Sequence, residues 1–86
     1  MPQFGQEYTH QLANENGVAY KVYAYSEPRA DGTWEGWIEF KPSDSSQPIL
    51  RTDRETTQPD KTALAYWASG LEPLYFEGAF ARVRSK

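Results

Sequence analysis

The stretch Trp34-Glu35-Gly36-Trp37-Ile38-Glu39-Phe40 decides the fold. Trp34, Gly36, Ile38 and Phe40 alternate with Glu35, Trp37, Glu39 and Lys41, which is the period of a strand with one buried face. Immediately before it, Ser26 to Thr33 contains Pro28 and Asp31-Gly32, so the chain turns there and Gly32 supplies the positive φ that such turns need. On the far side of that turn, Val18-Ala19-Tyr20-Lys21-Val22-Tyr23-Ala24-Tyr25 is rich in the β-branched and aromatic residues that suit a pleated surface. Val18, Tyr20, Val22 and Ala24 make the better core face, and Ala19, Lys21, Tyr23 and Tyr25 the other. The two segments form a hairpin.

Working outward, Lys41 to Pro48 lacks periodicity and reads as an exposed connection, followed by a short third strand at about Ile49 to Asp53. Pro59 suits a first helical turn, and Thr57 with Asp60 three residues on resembles a capping box. Leu64, Trp67, Ala68 and Leu71 fall at i, i+3, i+4 and i+7, predicting a helix over 59–69 that Gly70 ends in the left-handed conformation. From Pro73 to Arg84, Leu74, Phe76, Gly78 and Phe80 alternate with Tyr75, Glu77, Ala79 and Ala81, the pattern of a last strand with a bulge at Gly78. The expectation is an α+β fold in the order β-β-β-α-β, an antiparallel sheet with one helix packed on one face. At the other end, Phe4, Tyr8 and Leu12 recur at helical spacing while Tyr8, His10 and Leu12 alternate as a strand would. Enrichment in Gln and Asn favours a mostly irregular segment over 1–17, leaving a single domain over 18–84.

Composition narrows the function. At 86 residues the chain has room for one compact domain, and only 38% of it is apolar, so the core is thin. Four Phe, three Trp and six Tyr compensate in part, since each ring buries about 150 to 250 Å². With no cysteine to staple it, such a chain is a candidate for self-association. A net charge of −3 argues against holding nucleic acid by its phosphates. A single histidine and no cysteine exclude thiol catalysis and zinc sites built on thiolates. No run approaches the roughly 18 apolar residues of a membrane span, and Met1 to Leu12 lacks a basic segment followed by an apolar one, so a cytoplasmic protein is expected.

Chemistry is sparse. A nucleophilic triad would have to use His10, in the segment expected to be irregular. Glu35 with Glu39, or Glu55, Asp60, Glu72 and Glu77 near the helix ends, could pair for acid and base work only if burial raised one pKa. Glycines are scattered singly, and none forms a phosphate loop. Two binding signals remain. Arg51 and Arg54 precede Thr57, Gln58 and a helix N-terminus, where a small carboxylate or phosphate could sit; the plain alternative is a helix cap among exposed ion pairs. Trp37, between Glu35 and Glu39, points away from the core together with Tyr23 and Tyr25, either bare for a partner or covered by the N-terminal segment or a loop. Rings ringed by Glu rather than Lys or Arg suit a protein partner better than RNA.

Trp34-Glu35-Gly36-Trp37-Ile38-Glu39-Phe40, Arg54-Glu55-Thr56-Thr57-Gln58-Pro59 and Tyr66-Trp67-Ala68-Ser69-Gly70-Leu71-Glu72-Pro73-Leu74-Tyr75-Phe76-Glu77-Gly78-Ala79-Phe80 resemble blocks of a small uncharacterised bacterial protein family. More loosely, the β-β-β-α-β order, the Asp31-Gly32-Thr33-Trp34 turn and Thr57 before the helix are similar to the HicB antitoxin domain, a partial double-stranded-RNA-binding-like fold. That resemblance implies neutralisation of a small ribonuclease toxin. The expectations are therefore a non-enzymatic binding or interaction module without cofactor or metal, partnered by a second copy or another protein, with a small anion as a further candidate ligand. An antitoxin-like domain comes second, and a small hydrolase using clustered carboxylates third.

Overall fold

The computed structural model describes residues 3–84. Its elements run β1 (Gln3–Ala13), β2 (Ala19–Pro28), β3 (Trp34–Pro42), β4 (Leu50–Arg51), β5 (Thr56–Gln58), α1 (Lys61–Ser69) and α2 (Pro73–Arg84). The class is α+β. One antiparallel sheet is ordered β1-β2-β3-β4, with β5 pairing β3 beside β4. Both hairpin turns rest on glycine at positive φ, Gly17 at 81° and Gly32 at 90°. In the second, the Asp31 carboxylate accepts from Thr33 N at 3.0 Å and from Thr33 Oγ1 at 2.6 Å, which closes the turn locally.

Tyr20, Val22 and Ala24 of β2 and Ile38 and Phe40 of β3 are buried on the inner face, as their alternation predicts. Ala68 of α1 and Phe76, Ala79, Phe80 and Val83 of α2 close the core over them. Phe80 is its hub, with its ring centroid 5.1 Å from both Tyr20 and Phe40. Gly36 lets α1 approach β3: a Cβ there would stand 2.9 Å from Trp67 Cζ3 and 3.0 Å from Leu64 Cδ1. Both helices lie on this one face, so the other face of the sheet is covered by neither.

Four expectations are corrected. Residues 73–84 form a helix and not a last strand, because Phe76, Ala79, Phe80 and Val83 bury at i, i+3, i+4 and i+7 while Gly78 stays exposed. Pro73 opens this helix, and the Glu72 carbonyl accepts from Tyr75 N and Phe76 N. Residues 3–13, expected within an irregular segment, are strand β1; residues 1 and 2 lie outside the described residues. Tertiary contacts decide this: the Tyr8 hydroxyl donates to Ala68 O at 2.6 Å, and its ring meets Phe76 at 4.5 Å. The polar Glu7, Thr9 and Gln11 simply take the solvated side of an edge strand. The third strand is shorter than Ile49 to Asp53, and Thr56 to Gln58, expected to lead into the helix, is itself a strand. Finally, α1 is capped by Asp60, whose Oδ1 accepts from Ala63 N at 2.8 Å, and ends at Gly70 with φ −95°, not left-handed.

Candidate functional site

The uncovered face of the sheet is built in cross-strand rows by strand register. Tyr25 pairs Trp37; Glu7, Tyr23, Glu39 and Arg51 stand in line across β1 to β4; Lys21 pairs Lys41; Glu27 and Glu35 pair at the opposite end. Directly opposed side chains on one face are close enough to interact, so these rows are the functional unit of the face. Trp37 points to this side as its alternation predicts, yet it is only 1% exposed. Its ring lies stacked beside Tyr25, with centroids 6.3 Å apart at 14°, and the Arg51 guanidinium sits 4.1 Å from its centroid. Its indole Nε1 donates to Glu39 Oε2 at 2.9 Å, so the one polar atom of the buried ring is satisfied. Of the two readings, a bare ring or a covered one, the ring is covered, with the Arg51 guanidinium over it.

Lys41 repeats the arrangement one row on. Its ammonium lies 4.6 Å from the Tyr23 centroid and 5.0 Å from the Tyr25 centroid, and it donates to the Tyr25 hydroxyl. That hydrogen bond holds the Lys41 pKa above its ordinary value. Rings and cations thus form an ordered, half-buried platform of Tyr23, Tyr25, Trp37, Lys41 and Arg51. Sequence reasoning named all but Lys41, which alternation already placed on the same face as Trp37.

The expected anion site does not assemble around the helix start. Arg51 is drawn to Trp37, the Asp60 carboxylate occupies the first turn of α1, and Arg54 and Thr57 are exposed. Gln58 bonds Thr56 within β5, its Nε2 donating to Oγ1 at 2.6 Å. Of the seven candidate residues, the structure joins Arg51, Trp37, Tyr23 and Tyr25, sets Thr57 beside Glu35 in the next row of the same face, and leaves Arg54 and Gln58 apart from them.

The candidate carboxylates are also separate. From Glu39 to Gly36, β3 advances three residues while the facing chain advances five, from Arg51 to Thr56. This bulge turns Glu55 toward α2, where Arg82 donates to both its carboxylate oxygens at 3.1 Å and Tyr75 donates through its hydroxyl. Burial pushes the Glu55 pKa up, but Arg82 and Tyr75 outweigh it and hold the group below its ordinary value. That shift is opposite to what a general acid needs. Burial, reinforced by the Glu55 hydrogen bond, pushes Tyr75 up to about 12. Glu55, Tyr75 and Arg82 are a clasp fastening α2 to the bulge, invisible while residues 73–84 are read as a strand. His10 lies against Phe76 with ring centroids 6.4 Å apart, and its Nε2 is 3.7 Å from the Glu77 carboxylate.

A groove of about 180 Å³ opens between α1 and the start of β1, lined by Gly5, Gln6, Ser26, Leu64 and Trp67 among others. Among the described residues, no group of three or more His, Asp or Glu could hold a metal ion, and no helix is long and apolar enough to cross a membrane. Compared with protein-family models, with curated proteins and with solved structures, the chain finds no match.

Proposed function

We propose that this chain is a non-enzymatic binding module that engages a protein surface through the uncovered face of its sheet. The observation that carries this reading is the platform of Tyr23, Tyr25, Trp37, Lys41 and Arg51 on a face that neither helix covers. Tyr, Trp and Arg are the residue types that dominate binding energy at protein interfaces, and here their side chains are already held by one another, so less side-chain freedom is lost on docking. The face is mixed in charge. Glu7, Glu27, Glu35 and Glu39 stand among Lys21, Lys41 and Arg51, which suits a protein and not a phosphate backbone. The lack of cysteine fits a reducing compartment, and the same proposal places the partner in the cytoplasm.

The test is affinity capture with the full chain against a Tyr23→Ser, Tyr25→Ser double variant of matched stability. A protein retained by the natural chain and lost by the variant supports the reading. Identical retention by both overturns it. Retention of a small ribonuclease would give the partner the chemistry that the looser resemblance to the HicB domain implies.

A further inference from the structure

The rows of the uncovered face are ordered by charge along the strands. At one end, Glu27 pairs Glu35; at the other, Lys21 pairs Lys41; the ring row and the Glu7, Tyr23, Glu39 and Arg51 row lie between. Each row is two residues, about 6.6 Å, from the next. Such a face is complementary to itself when one copy is reversed end for end. Stacked with strands in the same direction, two copies would set acid against acid and base against base, which costs heavily at an interface.

We propose that the occupant of this face is a second copy of the chain, stacked sheet on sheet with strand directions reversed about a two-fold axis running across the strands. This rests on reading the face as a protein-binding surface. The two-fold puts β2 over β2 and β3 over β3. Lys21 then faces the partner's Glu27, and Lys41 faces the partner's Glu35, with the same two contacts repeated by symmetry. Between them, Tyr25 of each copy faces the partner's Tyr23, while Trp37 stays buried under the Arg51 of its own copy and lies opposite the partner's Glu39. Aligned sheets pack about 10 Å apart and within about 30° of each other, a spacing that rings and long cations fill.

Size sets the strength. β2 and β3 cross all four rows but β4 only one, so at about 4.8 by 6.6 Å per position the footprint is on the order of 400 Å² per copy, or about 800 Å² for the pair. That is below the size of standard specific interfaces, so the dimer is expected to be weak. Within each copy Arg29 already lies 4.0 Å from Glu35, and Lys41 already rests on the tyrosines. Reversals at Lys21, exposed at the basic end, and at Glu27 in the acidic row leave Lys41 and the ring row untouched.

Sedimentation equilibrium of the full chain, from micromolar to millimolar concentration, tests this with two reversals. Lys21→Glu and Glu27→Lys should each weaken self-association roughly tenfold or more, because each sets like charges face to face at two symmetric contacts. An equimolar mixture of the two variants should recover the natural affinity as a heterodimer, since every reversed acid then meets a reversed base. Recovery also shows that both variants are folded. The proposal is overturned if either reversal leaves the association unchanged, as pairing through the free edge of β1 would, or if the mixture fails to recover it. A chain monomeric to millimolar concentration also overturns it; if that chain still captures another protein through Tyr23 and Tyr25, the binding-module reading stands and only the second copy is excluded.

Discussion

The Arg51 guanidinium lies 4.1 Å from the centroid of the Trp37 ring, on the sheet face away from the core, and Trp37 is 1% exposed as a result of this and the neighbouring side chains. A ring that large, left bare, would draw any apolar surface to it. Removing the cover by Arg51→Ala is expected to open Trp37 to acrylamide quenching and to lower stability by about 0.5 to 2 kcal/mol, the range of a cation on a partly desolvated ring. Arg51→Lys should restore only part of both, because an ammonium cannot lie flat on the indole. Unchanged quenching in the alanine variant would show that Trp37 owes its burial to other neighbours.

The start of α1 separates two residues that look equivalent in sequence. Asp60 caps the helix through Ala63 N, while Thr57 is an exposed residue of β5. Asp60→Ala should therefore shift the denaturant midpoint by the equivalent of about 0.5 to 2 kcal/mol. Thr57→Ala should stay within about 0.5 kcal/mol, the usual range for a surface change. A larger effect at Thr57 than at Asp60 would move the helix start back toward the proline.

Acid should loosen the clasp between Glu55, Tyr75 and Arg82. The folded pKa of Glu55 lies below its ordinary value, so its contribution is present above the ordinary carboxylate range and is lost as pH falls through the folded pKa. Melting temperature is expected to fall below about pH 5, and Glu55→Gln should flatten that slope. Asp31 and Asp44, held low by bonds from Thr33 and Ser46, titrate in the same window, so it is the difference between natural chain and variant that reads out Glu55. At the alkaline end the sign reverses. Burial raises both Tyr8 and Tyr75 to about 12, so their contribution is full below pH 10 and is lost on rising through 12. Tyr75→Phe should remove part of the alkaline loss; an unaltered profile would mean that its hydroxyl is already ionised or free.

The hairpin of β2 and β3 was legible because a one-residue slip would carry Val22, Ile38 and Phe40 to the wrong face, so period two admits one register. Residues 73–84 were ambiguous for a specific reason. Phe76 and Phe80 are four apart, which satisfies both a strand and a helix, and only Ala79 and Val83 distinguish them. Pro73 was the stronger clue, since it holds the same helix-opening place that Pro59 was expected to hold. β1 was missed because its stability comes from contacts far along the chain, Tyr8 to Ala68 and Phe76, which no local pattern contains. At the site, alternation placed Trp37, Tyr23 and Tyr25 on one face, but proximity of Arg51 to Trp37 depends on how β4 pairs β3, which the loop of 43–49 leaves open in sequence.

The closest approach of helix to sheet falls on Gly36, and it supplies the last expected outcome. Opposite its hydrogens lie Trp67 Cζ3, Leu64 Cδ1 and Thr56 Cγ2, at 2.9, 3.0 and 3.3 Å from where a Cβ would stand. A methyl group there has to displace an aromatic ring and a leucine, both packed against the sheet. Gly36→Ala is expected to cost about 1 to 3 kcal/mol through overpacking, against the small gain an alanine usually brings to an unstrained strand position. Gly36→Val should cost more, although valine suits strands better than either. A Leu64→Ala change, destabilising alone, should relieve part of the Gly36→Ala penalty because it empties the space the new methyl needs, so the two should combine to less than their sum. Chemical denaturation of the two single variants and the double variant measures this directly. Strict additivity would mean that α1 lifts away from β3 as a body, and that the contact at Gly36 does not set the spacing between the layers.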